Sequence, residues 1–253
     1  MLVLGVAVLV AAGVVLSHRA DATTVPPYDP SRLTHIGDSR QLIVVTGVSK
    51  TSSYSTLRTY QLGADGRWTA RFAAMPARNG YRGWAWGGQR IQGTGTTPLG
   101  TYLITMAFGL KPNPGTTLAY RHADANDYWV GDDRDPKTYN LFQPLAASKR
   151  TWRINQSERL AAYPTQYEYA AVIDYNRPAA STVTWDAPHG EYVTSRPADV
   201  RRGSAIFLHI NGKGSTAGCV SLRRADLLAV LKWLDPARKP RIVMAPLAQI
   251  GQV

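Results

Sequence analysis

Cysteine is almost absent: Cys219 is the only one in 253 residues. That excludes an internal disulfide and the disulfide-stapled class of small secreted domains. Phenylalanine and methionine are scarce too, four of each against 13 tyrosines and 7 tryptophans. With 22 glycines and 16 prolines, this balance favours short strands and many turns over a helical bundle. Acidic residues number 17 against 29 Lys and Arg, a formal charge of +12. The basic residues form no compact block interleaved with aromatics, so nucleic acid is not an expected partner; the excess suits an anionic surface such as a cell wall or lipid headgroups. No internal repeat or composition shift divides residues 41–253, which read as one mainly β domain.

The first sixteen residues, MLVLGVAVLVAAGVVL, are apolar without a break, and Ala20-Asp21-Ala22 has the small-x-small form of an export cleavage site. Residues 1–22 therefore read as a signal peptide or as a retained membrane anchor, the only membrane attachment the sequence suggests. Residues 23–40, rich in proline and polar residues, read as a linker.

Within the body, QLIVVTGV (41–48) is a β-branched strand, and STLRTYQLGADGRWTARF (55–72) alternates on both sides of Ala64-Asp65-Gly66, a hairpin signal. A glycine-rich, tryptophan-bearing loop (80–95) precedes a strand over 96–109. Further strands are expected within 116–121, 126–132, 167–176 and 203–210, the last ending near His209. Residues 148–163 predict a short helix over their second half. LRRADLLAVLKWL (222–234) predicts a clearer one, with Leu222, Ala225, Leu228, Leu231 and Trp233/Leu234 as its apolar stripe and Asp235-Pro236 as its stop.

The segment HINGKGSTAGCVSL (209–222) holds the lone cysteine in a glycine-rich loop that opens with a histidine. A thiol attacks as thiolate, which requires a proton acceptor and a favourable electrostatic setting. His209, fixed at a strand end, is the candidate base, and residues 210–218 are long and glycine-rich enough to fold Cys219 back beside it. The helix beginning near residue 222 is expected to point its N-terminus toward the thiol. The backbone amides of Gly218 and Cys219 are candidate oxyanion donors. This set implies acyl transfer through a thioester; the competing reading is a small buried hydrophobe and a hydrogen-bonded histidine. Asn211, Lys213, Ser215 and Thr216 are candidate contacts to a substrate carboxylate or amide, or else a polar solvated loop. Tyr169 and Trp129 read as core aromatics or as groove lining. GDDRDP (131–136) lacks the later Glu of a calcium loop, and His35, His122 and His189 have no Cys or His at ligand spacing, so no metal is expected.

GSAIFLHINGKGSTAGCVSL, TTPLGTYLITMAFG and ADLLAVLKWLDP resemble the L,D-transpeptidase catalytic domain of the YkuD type, over roughly residues 41–245. The resemblance implies an exported enzyme with an L,D-transpeptidase-like β-sandwich and one or two short helices, one of them after the catalytic cysteine. It implies Cys219 as nucleophile, His209 as base, peptidoglycan stem peptides as substrate, no cofactor, and covalent acylation by carbapenem-type inhibitors. Transfer of the acyl group to an amine gives a cross-link, and transfer to water gives carboxypeptidase action; a non-catalytic wall-binding module is the alternative from another class. The chain departs from the family pattern in three ways. Ala217 stands where a histidine is common, the spacing from His209 to Cys219 is short, and Ser221 replaces an Asn or Arg. Ser221 thereby joins the candidate substrate-binding residues.

Overall fold

The computed structural model describes residues 27–144 and 149–253. The apolar segment 1–22 and the first part of the 23–40 stretch lie outside the described residues.

Eight strands form the body: β1 (Gln41–Gly47), β2 (Tyr54–Leu62), β3 (Met75–Arg78), β4 (Thr97–Gly109), β5 (Ala170–Ile173), β6 (Phe207–Ile210), β7 (Val220–Leu222) and β8 (Arg241–Pro246). Their order is β1-β8-β4-β5-β6-β7-β3-β2, and β2 pairs back onto β1. The mainly β body is as expected, with the two layers of the expected sandwich joined into one closed mixed barrel. Closure explains the composition of β1. It is buried at all seven positions, lies between β2 and β8, and reads as a β-branched run without polar alternation. Within the eight-stranded ring two pairings are parallel, β1 with β8 and β6 with β7.

The hairpin turn is where Asp-Gly predicts it. Gly66 has φ +75°, the Asp65 carboxylate accepts from Arg67 N–H at 3.1 Å, and the return strand is Trp68–Ala70. The packed body reaches back past Gln41, because Leu33 lies in the barrel core and Tyr28 packs against it.

One α-helix, α1 (Arg224–Trp233), follows β7. Its buried face is Leu227, Val230 and Leu231, continued by Leu234. Each fully buried apolar side chain contributes about 1.5–3 kcal/mol. Of the expected stripe, Leu222, Leu231 and Leu234 are buried and Leu228 and Trp233 pack against the same core, while Ala225 is exposed. Asp235-Pro236 ends the helix as predicted. Residues 149–163 carry only two short 3-10 turns, Ile154–Gln156 and Leu160–Ala162, around the bridge-like strand Glu158–Arg159. That strand pairs with Asp127–Trp129 in a separate three-stranded sheet, so sheet pairing wins over helical periodicity there. Among the described residues no helix is long and apolar enough to cross a membrane.

The small sheet matters because it makes a second core. Leu208 and Ile210 of β6 face the barrel interior, while Phe207 joins Phe108, Trp129, Tyr167, Val172 and Cys219 on the outer face. Two-residue alternation puts His209 on that outer face as well.

Candidate active site

Parallel pairing of β6 and β7 sets the site. His209 and Ser221 are register partners, and the chain crosses between them through residues 211–219. Each turn of this crossing is held from outside. Arg78 Nη1 donates to the carbonyls of Gly212 and Gly214 at 2.8 and 3.1 Å. Thr216 bonds through its backbone to Asn79 and Tyr81, and Thr97 Oγ1 donates to Gly218 O at 2.8 Å while accepting from Gly80 N–H. Gly218 has φ +148°, and a Cβ there would stand 2.8 Å from Arg90 Nη2 and 2.9 Å from Thr96 O. The position therefore needs glycine twice over, for its backbone angle and for its space.

The crossing opens onto a cavity of about 460 Å³ lined by His209, Cys219, Arg90, Glu158 and Tyr167 among others. His209 Nδ1 meets Ile210 O at 2.8 Å, which makes Nδ1 the protonated nitrogen and leaves Nε2 with its lone pair. A backbone carbonyl therefore orients the ring. The edge of Tyr167 supports it, with ring centroids 5.6 Å apart. Burial pushes His209 down to about 4, partly opposed by the Ile210 carbonyl.

Cys219 is 9 % exposed. Its sulfur accepts from Phe207 N–H at 3.3 Å and its thiol donates to Ala205 O at 3.2 Å. Ala205 holds a left-handed φ of +56°, secured by its N–H bond to Asn140 Oδ1, which also accepts from Trp129 Nε1. Backbone strain of this kind costs about 1–3 kcal/mol and gathers at functional sites. Burial pushes the Cys219 thiol up to about 12, and the Glu158 charge adds to that; the Phe207 amide and the Arg90 charge pull the other way. Glu158 itself is part-buried in the cavity wall. Desolvation raises its carboxyl to about 7 against the Tyr167 hydroxyl, which donates to it at 2.5 Å.

The expected residues divide. Lys213, Ser215 and Thr216 line the cavity with the Cys/His pair. Ser221 is fully buried and donates to Asn211 Oδ1 at 2.7 Å, so those two satisfy each other. Gly218 N–H is engaged by Thr216 Oγ1 at 3.1 Å, and the same hydroxyl donates to Cys219 O at 2.6 Å. Of the two amides expected at an oxyanion, that of Gly218 is therefore already engaged, while that of Cys219 lies beside its own sulfur. The helix dipole is corrected too. β7 stands between Cys219 and α1, and three extended residues span roughly 10 Å, beyond the reach of a helix terminus. Tyr169 is a core residue, whereas Trp129 is both core and cavity wall.

A family model described as the L,D-transpeptidase catalytic domain, YkuD, matches residues 53–243. The chain belongs to this family. A search of curated proteins found no match. The matched span of the YkuD domain contains the whole cavity wall described above, including two residues that the sequence did not single out. Arg90 and Glu158 are ionisable groups in the cavity, yet each arrives on a distant segment with no local signature; only the glycine-rich character of residues 80–95 marked the first.

Elsewhere, the acidic turn 131–136 is occupied by Arg153, whose guanidinium pairs with both Asp132 and Asp133. His189 lies 2.7 Å from an Asp186 oxygen, and Glu191 completes a group whose ligand atoms lie within 4.8 Å of one another. Both Glu191 oxygens already accept from Thr151.

Proposed function

We propose that this protein is an exported, cysteine-dependent L,D-transpeptidase that cross-links peptidoglycan stem peptides, with residues 41–253 as the catalytic body. The observation that carries the reading is that Cys219 and His209 open onto one cavity inside a YkuD domain. His209 Nε2 takes the Cys219 proton, which the Ala205 carbonyl holds at rest. The thiolate attacks the stem-peptide carbonyl and a carbon–sulfur bond forms; Cys219 N–H faces the oxyanion. The carbon–nitrogen bond then breaks, and the leaving amine takes the proton from His209. An amine of a second stem resolves the thioester by attacking its carbonyl, giving its proton back through His209 as the sulfur leaves. No cofactor enters these steps. Export fits the apolar leader and the +12 charge, which suits retention on an anionic wall.

Purified protein, as wild type and Cys219→Ala, incubated with disaccharide tetrapeptides tests this by mass spectrometry. A cross-linked dimer formed only by the wild type is the expected outcome. Cys219-dependent loss of the terminal residue alone identifies a carboxypeptidase. No Cys219-dependent product overturns the reading. The burial of Cys219 favours a second reading, a wall-binding module with an inert thiol; in that case a carbapenem leaves no mass adduct on the native protein and thiol reagents act only after denaturation.

A further inference from the structure

Arg90 follows the 3-10 turn Gly87–Gln89 in the loop before β4 and is 4 % exposed. A buried charge out of water costs several kcal/mol unless something compensates it, and a carboxylate is the usual partner. Among the described residues no carboxylate pairs with Arg90. Its Nε donates to Thr96 O and its Nη1 to Arg202 O, both at 2.7 Å, and its guanidinium lies 5.8 Å from the centroid of the Tyr175 ring. Two glycines keep its place open. A Cβ on Gly203, at φ +102°, would stand inside the guanidinium, and one on Gly218 would press on Nη2. The fold thus spends two left-handed glycines and two carbonyls on bringing an uncompensated cation against the residue that precedes Cys219, in the wall of the cavity that Cys219 lines.

We propose that Arg90 is the electrostatic partner of the Cys219 thiolate, the built-in counter-ion that lets a buried sulfur carry charge once its proton has passed to His209 Nε2. The proposal rests on the reading of Cys219 as nucleophile and is independent of what the substrate is. It explains why the cation has no carboxylate of its own: the missing anion is made during the reaction. The direction of the Arg90 effect on the resting thiol agrees, since its charge opposes both burial and the Glu158 push.

The test alkylates Cys219, the only cysteine, at pH 9 with anionic iodoacetate and with neutral iodoacetamide, and reads both rates by intact mass. In native wild type the ratio of iodoacetate to iodoacetamide rate is expected to exceed that of the same protein unfolded in urea, by about threefold or more. Arg90→Gln lowers the ratio to the unfolded value and slows iodoacetamide about tenfold, the effect of one pKa unit on thiolate population. Arg90→Lys, which keeps the charge, stays closer to wild type. Equal ratios in native and unfolded wild type overturn the proposal even if no variant folds, and so do unchanged rates in a folded Arg90→Gln, which would make the residue a prop for the Gly218 turn. In either case Cys219 still reacts and the nucleophile reading survives. A native Cys219 that neither reagent touches overturns both.

Discussion

His209 and Glu158 are shifted in opposite chemical senses, and at the level of single residues this makes a sharp prediction. The histidine is pushed from its usual 6.5 down to about 4, so between those values the unfolded chain binds the proton that the folded one refuses. Its contribution to stability is present above pH 6.5 and is lost as the pH falls through 4. The carboxyl is raised from 4.5 to about 7. Its contribution is present below pH 4.5 and is lost as the pH rises through 7. Each amounts to about 3 kcal/mol, and over the shared window the two slopes oppose. Wild type is therefore expected to show a flat stability between about pH 4.5 and 6.5 from these groups. Glu158→Gln exposes the rising histidine slope and His209→Gln the falling carboxyl slope, both read by urea denaturation at stepped pH. Parallel profiles in all three proteins would refute the assignment. That Cys219 and His209 would share one cavity was legible in the sequence, because the thiol, the histidine and the glycines that fold the chain back lie within eleven residues. Glu158 and Arg90 were not. A buried charge has no local pattern, and both reach the cavity only through contacts between distant segments.

Among the elements, the crossing between β6 and β7 is the one whose sequence is most constrained. Gly218→Ala meets a positive φ and two contacts under 3.0 Å, and is expected to cost about 2–4 kcal/mol and to lower the melting temperature. Gly214→Ala, four residues earlier, meets nothing within 4 Å at an ordinary backbone angle and is expected to stay within about 0.5 kcal/mol of wild type. Equal melting temperatures for the two would show that the Gly218 turn is not fixed as described. Elements with strong local signals were legible: β1 from its β-branched run, the Asp65-Gly66 hairpin, β4, and α1 to within two residues. Most of the expected α1 stripe holds, but Ala225 drops out and Leu227 and Val230 are the more deeply buried, because only the sheet beneath decides between neighbouring apolar positions. The expected helix within 148–163 gave way because Glu158 and Arg159 pair with Asp127–Trp129, a partner the local sequence does not disclose. The oxyanion donor at Gly218 was lost for a comparable reason, since Thr216 caps its amide.

For the molecule as a whole, the +12 charge predicts binding to anionic wall polymers that weakens with ionic strength, as screening shortens to about 8 Å at physiological salt. Co-sedimentation with cell-wall fragments at low and high salt measures it, and binding unaffected by salt would assign retention to something other than charge. The mainly β class was legible from composition and strand patterning, but closure was not, because the β1–β8 pairing that completes the ring joins strands near the two ends of the described chain. The crossing carries exposed Lys213 and Gly214 at its middle, while everything after it is stitched into the sheet at two separate places, β7 between β6 and β3, and β8 between β1 and β4. Severing the backbone there puts His209 and Cys219 on different polypeptides without removing either from the sheet. The domain is in this sense divisible: residues 1–213 and 214–253, encoded as two genes, should co-purify as one folded unit, each half inert alone and the pair a complementing system.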